Sequence, residues 1–195
     1  MKTSFAKALQ VWEENNHQNA SETEIIKLNF NIPPIDKLDA AIISTLVNCK
    51  QLSLSTNCIE KMVPITGLKN LRILSLGRNQ IKKIYGLEEI GSTLKELWIS
   101  YNLIENLSGL APHCTALEVL YIAHNRIKDW NEIEKLKDLP NLKNIVLLGN
   151  EIYDKFPTKE DARLNVLTKL PHLEMIDNVL VTESDKHQIE RLNTN

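Results

Sequence analysis

LKELWISYNLI, residues 94–104, sets two aliphatic side chains two positions apart, Leu97 and Ile99, and follows them with a polar Asn102 inside an apolar frame. The same arrangement is written four more times, as CKQLSLSTNCI (49–59), LRILSLGRNQI (71–81), LEVLYIAHNRI (117–127) and LKNIVLLGNEI (142–152). The asparagines Asn57, Asn79, Asn102, Asn125 and Asn150 stand 22, 23, 23 and 25 residues apart. Residues two apart share one face of a strand. Leu52 with Leu54, Leu74 with Leu76, Leu97 with Ile99, Leu120 with Ile122 and Ile145 with Leu147 are therefore expected to point inward.

The common pattern, L-x-x-L-x-L-x-x-N-x-I, is the leucine-rich repeat signature. It implies an α/β solenoid with a parallel sheet of about six short strands on one face and short helices or turns on the other. Helical caps close both ends, because a solenoid exposes apolar surface at each terminus unless covered. The five asparagines read as structural, since a side-chain amide can both donate to and accept from backbone groups in the turn leaving each strand. Apolar residues two and five positions beyond each asparagine (Ile59/Met62, Ile81/Ile84, Ile104/Leu107, Ile127/Trp130) continue each coil, and Leu68, Leu87, Leu110 and Leu136 close it. The segment from Trp130 to Leu136 is the best candidate for a true helix. A degenerate earlier copy, from Ile25 to Leu38, begins the stack.

Residues 1–20 read as an N-terminal capping helix and connector, 21–156 as the repeats, and 157–195 as a C-terminal cap with a polar helix. Phe5, Ala8, Leu9 and Trp12 have helix spacing, which predicts an amphipathic helix over Thr3–Glu14. Leu167, Leu170, Leu173, Ile176 and Asp177 form a capping pattern. The helix expected over Glu183–Leu192 has only Ile189 and Leu192 as strong apolar residues, so it is expected to project or to pack lightly.

The sequence has no membrane-length apolar run and no secretory leader pattern. Its three cysteines suggest no disulfide framework: Cys49 falls on a buried repeat position, Cys58 and Cys114 in turns. These features point to a reducing, cytoplasmic setting. The net charge of −2 argues against nucleic acid as the partner. One local basic group, Lys69, Arg72, Arg78, Lys82 and Lys83, could meet an acidic surface such as tubulin. No phosphate-binding glycine loop or metal-ligand spacing is present, and adjacent His113 and Cys114 do not make a dyad without an orienting third group. An enzyme is not expected, nor a cofactor or metal.

Function is expected on the outward strand positions. Ile73, Trp98, Val119, Tyr121, Val146 and Leu148 would form an apolar strip there, edged by Arg78, Tyr101 and His124. Two readings are open: Trp98 and Tyr121 simply stack across neighbouring strands, or the strip is a protein-binding surface. Small residues Gly77, Ser100 and Ala123 beside the aromatics would leave room for an incoming side chain.

NLRILSLGRNQIKKI (70–84), TLKELWISYNLIENLSGL (93–110), ALEVLYIAHNRIKDWNEIEKL (116–136) and IPPIDKLDA (32–40) resemble the axonemal outer-arm dynein light chain 1 family, and the likeness spans nearly the whole chain. The tail after Asp177 departs from the family pattern. The resemblance implies a non-catalytic motor subunit of cilia and flagella. It would bind a dynein heavy chain at its microtubule-binding stalk tip through Ile73, Trp98, Tyr101, Val119, Tyr121, Val146 and Leu148, and the C-terminal helix would be a regulatory element. The alternatives are a spliceosomal A-prime type scaffold and a phosphatase-regulatory repeat protein.

Overall fold

The computed structural model describes residues 1–193, with side chains through 191. A short strand β1 (Thr3–Ser4) leads into helix α1 (Phe5–Asn16). The helix begins two residues later than the apolar spacing alone suggests, because the Ser4 hydroxyl accepts a hydrogen bond from Lys7 N at 3.3 Å and so caps it. β1 pairs with β3 (Ile35–Lys37), and α1 buries Phe5, Ala8 and Leu9. What reads as a polar connector contains a 3₁₀ turn at Ala20–Glu22 that buries Ala20.

The repeats supply the parallel strands β2 (Ile25–Lys27), β4 (Gln51–Ser53), β5 (Ile73–Ser75), β6 (Glu96–Trp98), β7 (Val119–Tyr121) and β8 (Asn144–Val146). Between them lie two short helices, α2 (Ala40–Ile43) and α3 (Trp130–Glu134), with the second continued by a 3₁₀ turn at Lys135–Asp138. The convex wall is otherwise mostly turn, since some twenty residues per coil leave little length for helix. After α4 (Lys159–Lys169) come β9 (Met175–Ile176), β10 (Val179–Leu180) and α5 (Glu183–Asn193). The main sheet thus has eight strands rather than six, in the order β10-β9-β8-β7-β6-β5-β4-β2, with β10 alone antiparallel to its neighbour. The two additional strands belong to the C-terminal cap, where β9 continues the parallel ladder on β8 and β10 turns back on β9.

Alternation works as the residue pattern requires. Leu52, Leu74, Leu97, Leu120 and Ile145 align across the sheet, and with Leu54, Leu76, Ile99, Ile122 and Leu147 they are almost completely buried. In the first coil the inward pair is Ile26 and Leu28, leaving Ile25 and Phe30 exposed. Cys114 is buried as fully as Cys49, because its turn folds under Gly91 and Leu117. Burial pushes the Cys49 thiol up to about 11 and the Cys114 thiol up to about 12.

The asparagines do more than finish their own turns. Asn102 Nδ2 donates to Ile99 O in its own coil and to Leu76 O in the preceding one, both at 3.0 Å, while its Oδ1 accepts from Ile81 N at 2.9 Å. Asn57, Asn79, Asn125 and Asn150 repeat this geometry, so each amide stitches two adjacent coils together. At the end of the stack Asp177 accepts from Leu147 N and Leu148 N at 2.7 and 2.9 Å and from the Tyr153 hydroxyl.

The last helix is docked, not projecting. Ile189 is buried, and Arg163 of α4, only 5% exposed, donates through Nη2 to Asp185 Oδ1 of α5 at 2.8 Å. Arg163 also holds Glu160 through Nε and Nη2 at 2.9 and 2.6 Å. A mostly polar helix is held by the buried Ile189 together with the Arg163–Asp185 ion pair. The Leu192 side chain lies outside those described.

Candidate functional site

The outer sheet face is built from strand positions that alternate with the core. Register places Ser75, Trp98, Tyr121 and Val146 in one column and Gln51, Ile73, Glu96, Val119 and Asn144 in the next. Ile73, Trp98, Val119, Tyr121, Val146 and Leu148 are each half-buried there, none of them in the core. The Trp98 and Tyr121 rings stack with centroids 6.0 Å apart and planes inclined by 18°. Trp98 Nε1 donates to Glu96 Oε2 at 3.0 Å, which restrains the indole. The stacking expected of neighbouring strands is present, and both residues remain half-buried rather than buried. Aromatic stacking holds the two rings as one rigid plate worth about 0.5–1.5 kcal/mol beyond burial.

A second column runs along the strand exits, one residue before each asparagine. Arg78, Tyr101 and His124 lie here, all exposed. The Arg78 guanidinium carbon sits 4.3 Å from the Tyr101 ring centroid, and the Tyr101 and His124 rings stack at 4.4 Å with a 16° inclination. Beyond them a Cβ on Gly149 would lie 2.4 Å from His124 Nδ1, so the imidazole rests on bare backbone. The cause is a shared backbone state: Thr56, Arg78, Tyr101 and His124 have φ of 57°, 54°, 59° and 51°, and Gly149 has 80°. Left-handed backbone at four non-glycine residues is costly. It turns each side chain up along the sheet edge, where the next coil's side chain meets it.

The small residues beside the plate are partly engaged. Ser100 Oγ accepts from Ala123 N at 3.0 Å, and the Ser55 and Ser75 hydroxyls are 2.6 Å apart. Gly77 lies beside Ser100 and Ser55, where an added Cβ would meet Ser100 O at 3.3 Å, while Ser75 is the residue opposite Trp98.

All nine candidate residues lie on the outer sheet face or its exit edge, with Glu96 standing between Ile73 and Val119 in their column. The basic group does not hold together. Arg78 joins the column, Arg72 Nη1 donates to Thr93 O at 3.0 Å on the opposite border, and Lys82 and Lys83 stand on the turn side of the coils. Adjacent residues separate because the chain reverses direction at the asparagine. The left-handed column is the feature that residue types alone do not reveal, since three of its members are Arg, Tyr and His rather than Gly. The recurrence of a residue directly before each ladder asparagine was its only trace.

A family model described as leucine rich repeats (2 copies) matches residues 92–135. The dynein axonemal light chain 1 of Homo sapiens is 47% identical over 186 residues, covering 95% of this chain and 97% of that one. The protein of the same name from Chlamydomonas reinhardtii is 43% identical over 189 residues, covering 95% and 94%. Among solved structures, the Drosophila melanogaster SNF/U2A' complex superposes with a TM-score of 0.63 at 21% identity, covering 74% of this chain and 82% of that chain, a likeness of fold alone. With identity of this order over nearly its whole length, the chain belongs to the dynein axonemal light chain 1 family of leucine-rich repeat proteins.

Proposed function

We propose that this chain is a non-catalytic light chain of outer-arm dynein, acting in the axoneme of a cilium or flagellum. It binds a dynein heavy chain at the microtubule-binding stalk tip through the outer sheet face. The observation that carries this reading is the Trp98–Tyr121 plate, stacked at 6.0 Å and half open to solvent amid Ile73, Val119, Val146 and Leu148. Contiguous apolar area of this kind marks a protein-binding surface, and aromatic anchors flanked by arginine are typical centres of binding energy. The identity to light chains named for axonemal dynein supplies the partner class. Arg78, Tyr101 and His124 form the polar rim of the same surface.

The plate is rigid, so docking orders few side chains and most of the buried area contributes to affinity. A light chain bound this way biases the motor's grip on its track only through different contacts with the two states of the tip. The test is a pull-down from detached axonemes, followed by titration of the purified heavy-chain tip. Trp98→Ala and Tyr121→Ala should each weaken binding by about 2 kcal/mol or more while the protein stays folded. Folded Trp98→Ala protein that captures heavy chain as well as the parent would remove the sheet face from the reading.

A further inference from the structure

Away from the sheet, the side chains following each ladder asparagine emerge on the turn side of the coils. Asn57, Asn79 and Asn102 accept in turn from Ile35 N, Ile59 N and Ile81 N, which makes those three isoleucines equivalent in successive coils. Two residues beyond each stands a lysine: Lys37, Lys61 and Lys83. Lys82 joins them. A groove of about 370 Å³ bounded by Glu60, Lys61, Met62, Lys82, Lys83 and Tyr85 lies between two of these turns. It adjoins a second of about 400 Å³ that shares Glu60 and Lys61 and adds Lys37.

Three observations set this surface apart. Lys37, Lys61, Lys82 and Lys83 are all exposed on successive coils of one side, and among the described residues none has an ion-pair partner, a state they share with Lys7, Lys27, Lys69, Lys128, Lys137, Lys155 and Lys159, so it is their crowding on adjacent turns that distinguishes them. Two carboxylates also line the grooves, Glu60, which faces Lys2 at 4.0 Å, and Asp36, so the four lysines leave a net positive charge rather than a purely basic wall. The fold does not demand lysine at these places, because the next coils carry Glu105 with Asn106 and Lys128 with Asp129 at the same two positions. Tyr85, a large ring 53% exposed, lies in the same groove without a packing reason to be there. Unpaired like charges on adjacent coils repel, and the chain as a whole is acidic, with net charge −2.

We propose that this turn-side groove docks an acidic segment of another protein, with one aromatic or long aliphatic side chain seated against Tyr85 and Met62. Charge complementarity supplies the encounter and the orientation. The flexible lysine stems accept carboxylates at irregular spacing, so charge density and one apolar anchor are selected rather than a strict motif. The surface is separate from the sheet face, so both can be occupied at once and neither depends on the other. The chain would then act as an adapter between two partners.

The experiment is fluorescence anisotropy of the full chain with a labelled Glu-rich peptide containing a single Phe, at low salt and at about 0.15 M salt, where screening acts over roughly 8 Å. Two further probes are the same peptide with Phe replaced by Ser, and single-stranded oligothymidylate of equal charge. Lys61→Glu with Lys83→Glu should weaken the Phe peptide by about tenfold or more. Lys137→Glu with Lys159→Glu, an equal change of net charge elsewhere, should leave it within about twofold. The Phe-to-Ser peptide should bind more weakly to the parent chain, and Tyr85→Ala should abolish that difference. Circular dichroism checks that each variant is folded. Absence of binding to the parent chain, equal loss in the control pair, or oligothymidylate binding as tightly as the Phe peptide would each overturn the proposal.

Discussion

Replacing Asn102 by Ala tests the ladder that joins the coils. The side chain is 5% exposed, and its removal acts unequally on its partners. Leu76 O also accepts from Asn79 Nδ2 at 2.9 Å, and Ile99 O also accepts from Asn125 Nδ2 at 3.1 Å, so each carbonyl keeps one amide donor. Ile81 N has Asn102 Oδ1 as its acceptor and is left with nothing. An orphaned buried donor costs about 1–3 kcal/mol, and the weakened carbonyls and small void bring the expected loss to about 2–3 kcal/mol. For a chain of this size that is a fall in Tm of roughly 4–12 °C. Urea unfolding at 25 °C measures the loss directly, with the slope unchanged if the denatured state is unaffected. Asn102→Asp sharpens the test. Its carboxylate can still accept from Ile81 N but would face the Leu76 and Ile99 oxygens, so its folded pKa should be raised above the unfolded value of about 3.9. Stability contributed by the protonated form is present below that value and lost as pH rises through the folded pKa. Asn102→Asp should therefore lie closer to the parent near pH 4 than at neutral pH. A loss below about 0.5 kcal/mol for Asn102→Ala, within the range of ordinary surface substitutions, would refute the idea that the amide bridges coils.

The left-handed column makes a prediction of opposite sign. Thr56→Gly should stabilise the chain by about 1 kcal/mol, because a β-branched residue at φ 57° is strained and glycine is not; calorimetry that finds a lower Tm would contradict it. The Arg163–Asp185 pair should hold α5 in place. Burial of Asp185 works against its charge, but hydrogen bonds from Thr182 and Arg163 outweigh it and hold the carboxyl below its usual range. Stability from a lowered pKa is present above the unfolded value and lost as pH falls through the folded one, so hydrogen-exchange protection factors in α5, taken relative to the intrinsic rate at each pH, should fall below about pH 4. Arg163→Ala should loosen the helix already at neutral pH, because Asp185 then keeps Thr182 N as a donor but loses its cation. Among the thiols, Cys58 should react with iodoacetamide first in the native protein, since Cys49 and Cys114 are fully buried with pKa values of about 11 and 12; mass mapping showing Cys114 labelled first would break the assignment.

The strand positions, the inward and outward sides and the end of each coil could be read from residue order, because alternation and turn chemistry act over a few neighbouring residues. That reading put Ile73, Trp98, Val119, Tyr121, Val146 and Leu148 on one open face without any coordinates. Cys114 under a neighbouring coil and α5 held by Arg163 and Asp185 escaped it, since both depend on groups more than twenty residues apart. The stacked Arg78, Tyr101 and His124 needed a backbone conformation that their side chains do not announce. Lys82 and Lys83 read in sequence as part of a basic group with Arg72 and Arg78, and Lys37 and Lys61 as part of none; stacking of the coils brings these four lysines to one side. Local covalent geometry dictates what each coil must be; only the packing of one coil on the next decides which side chains from distant segments come to share a surface.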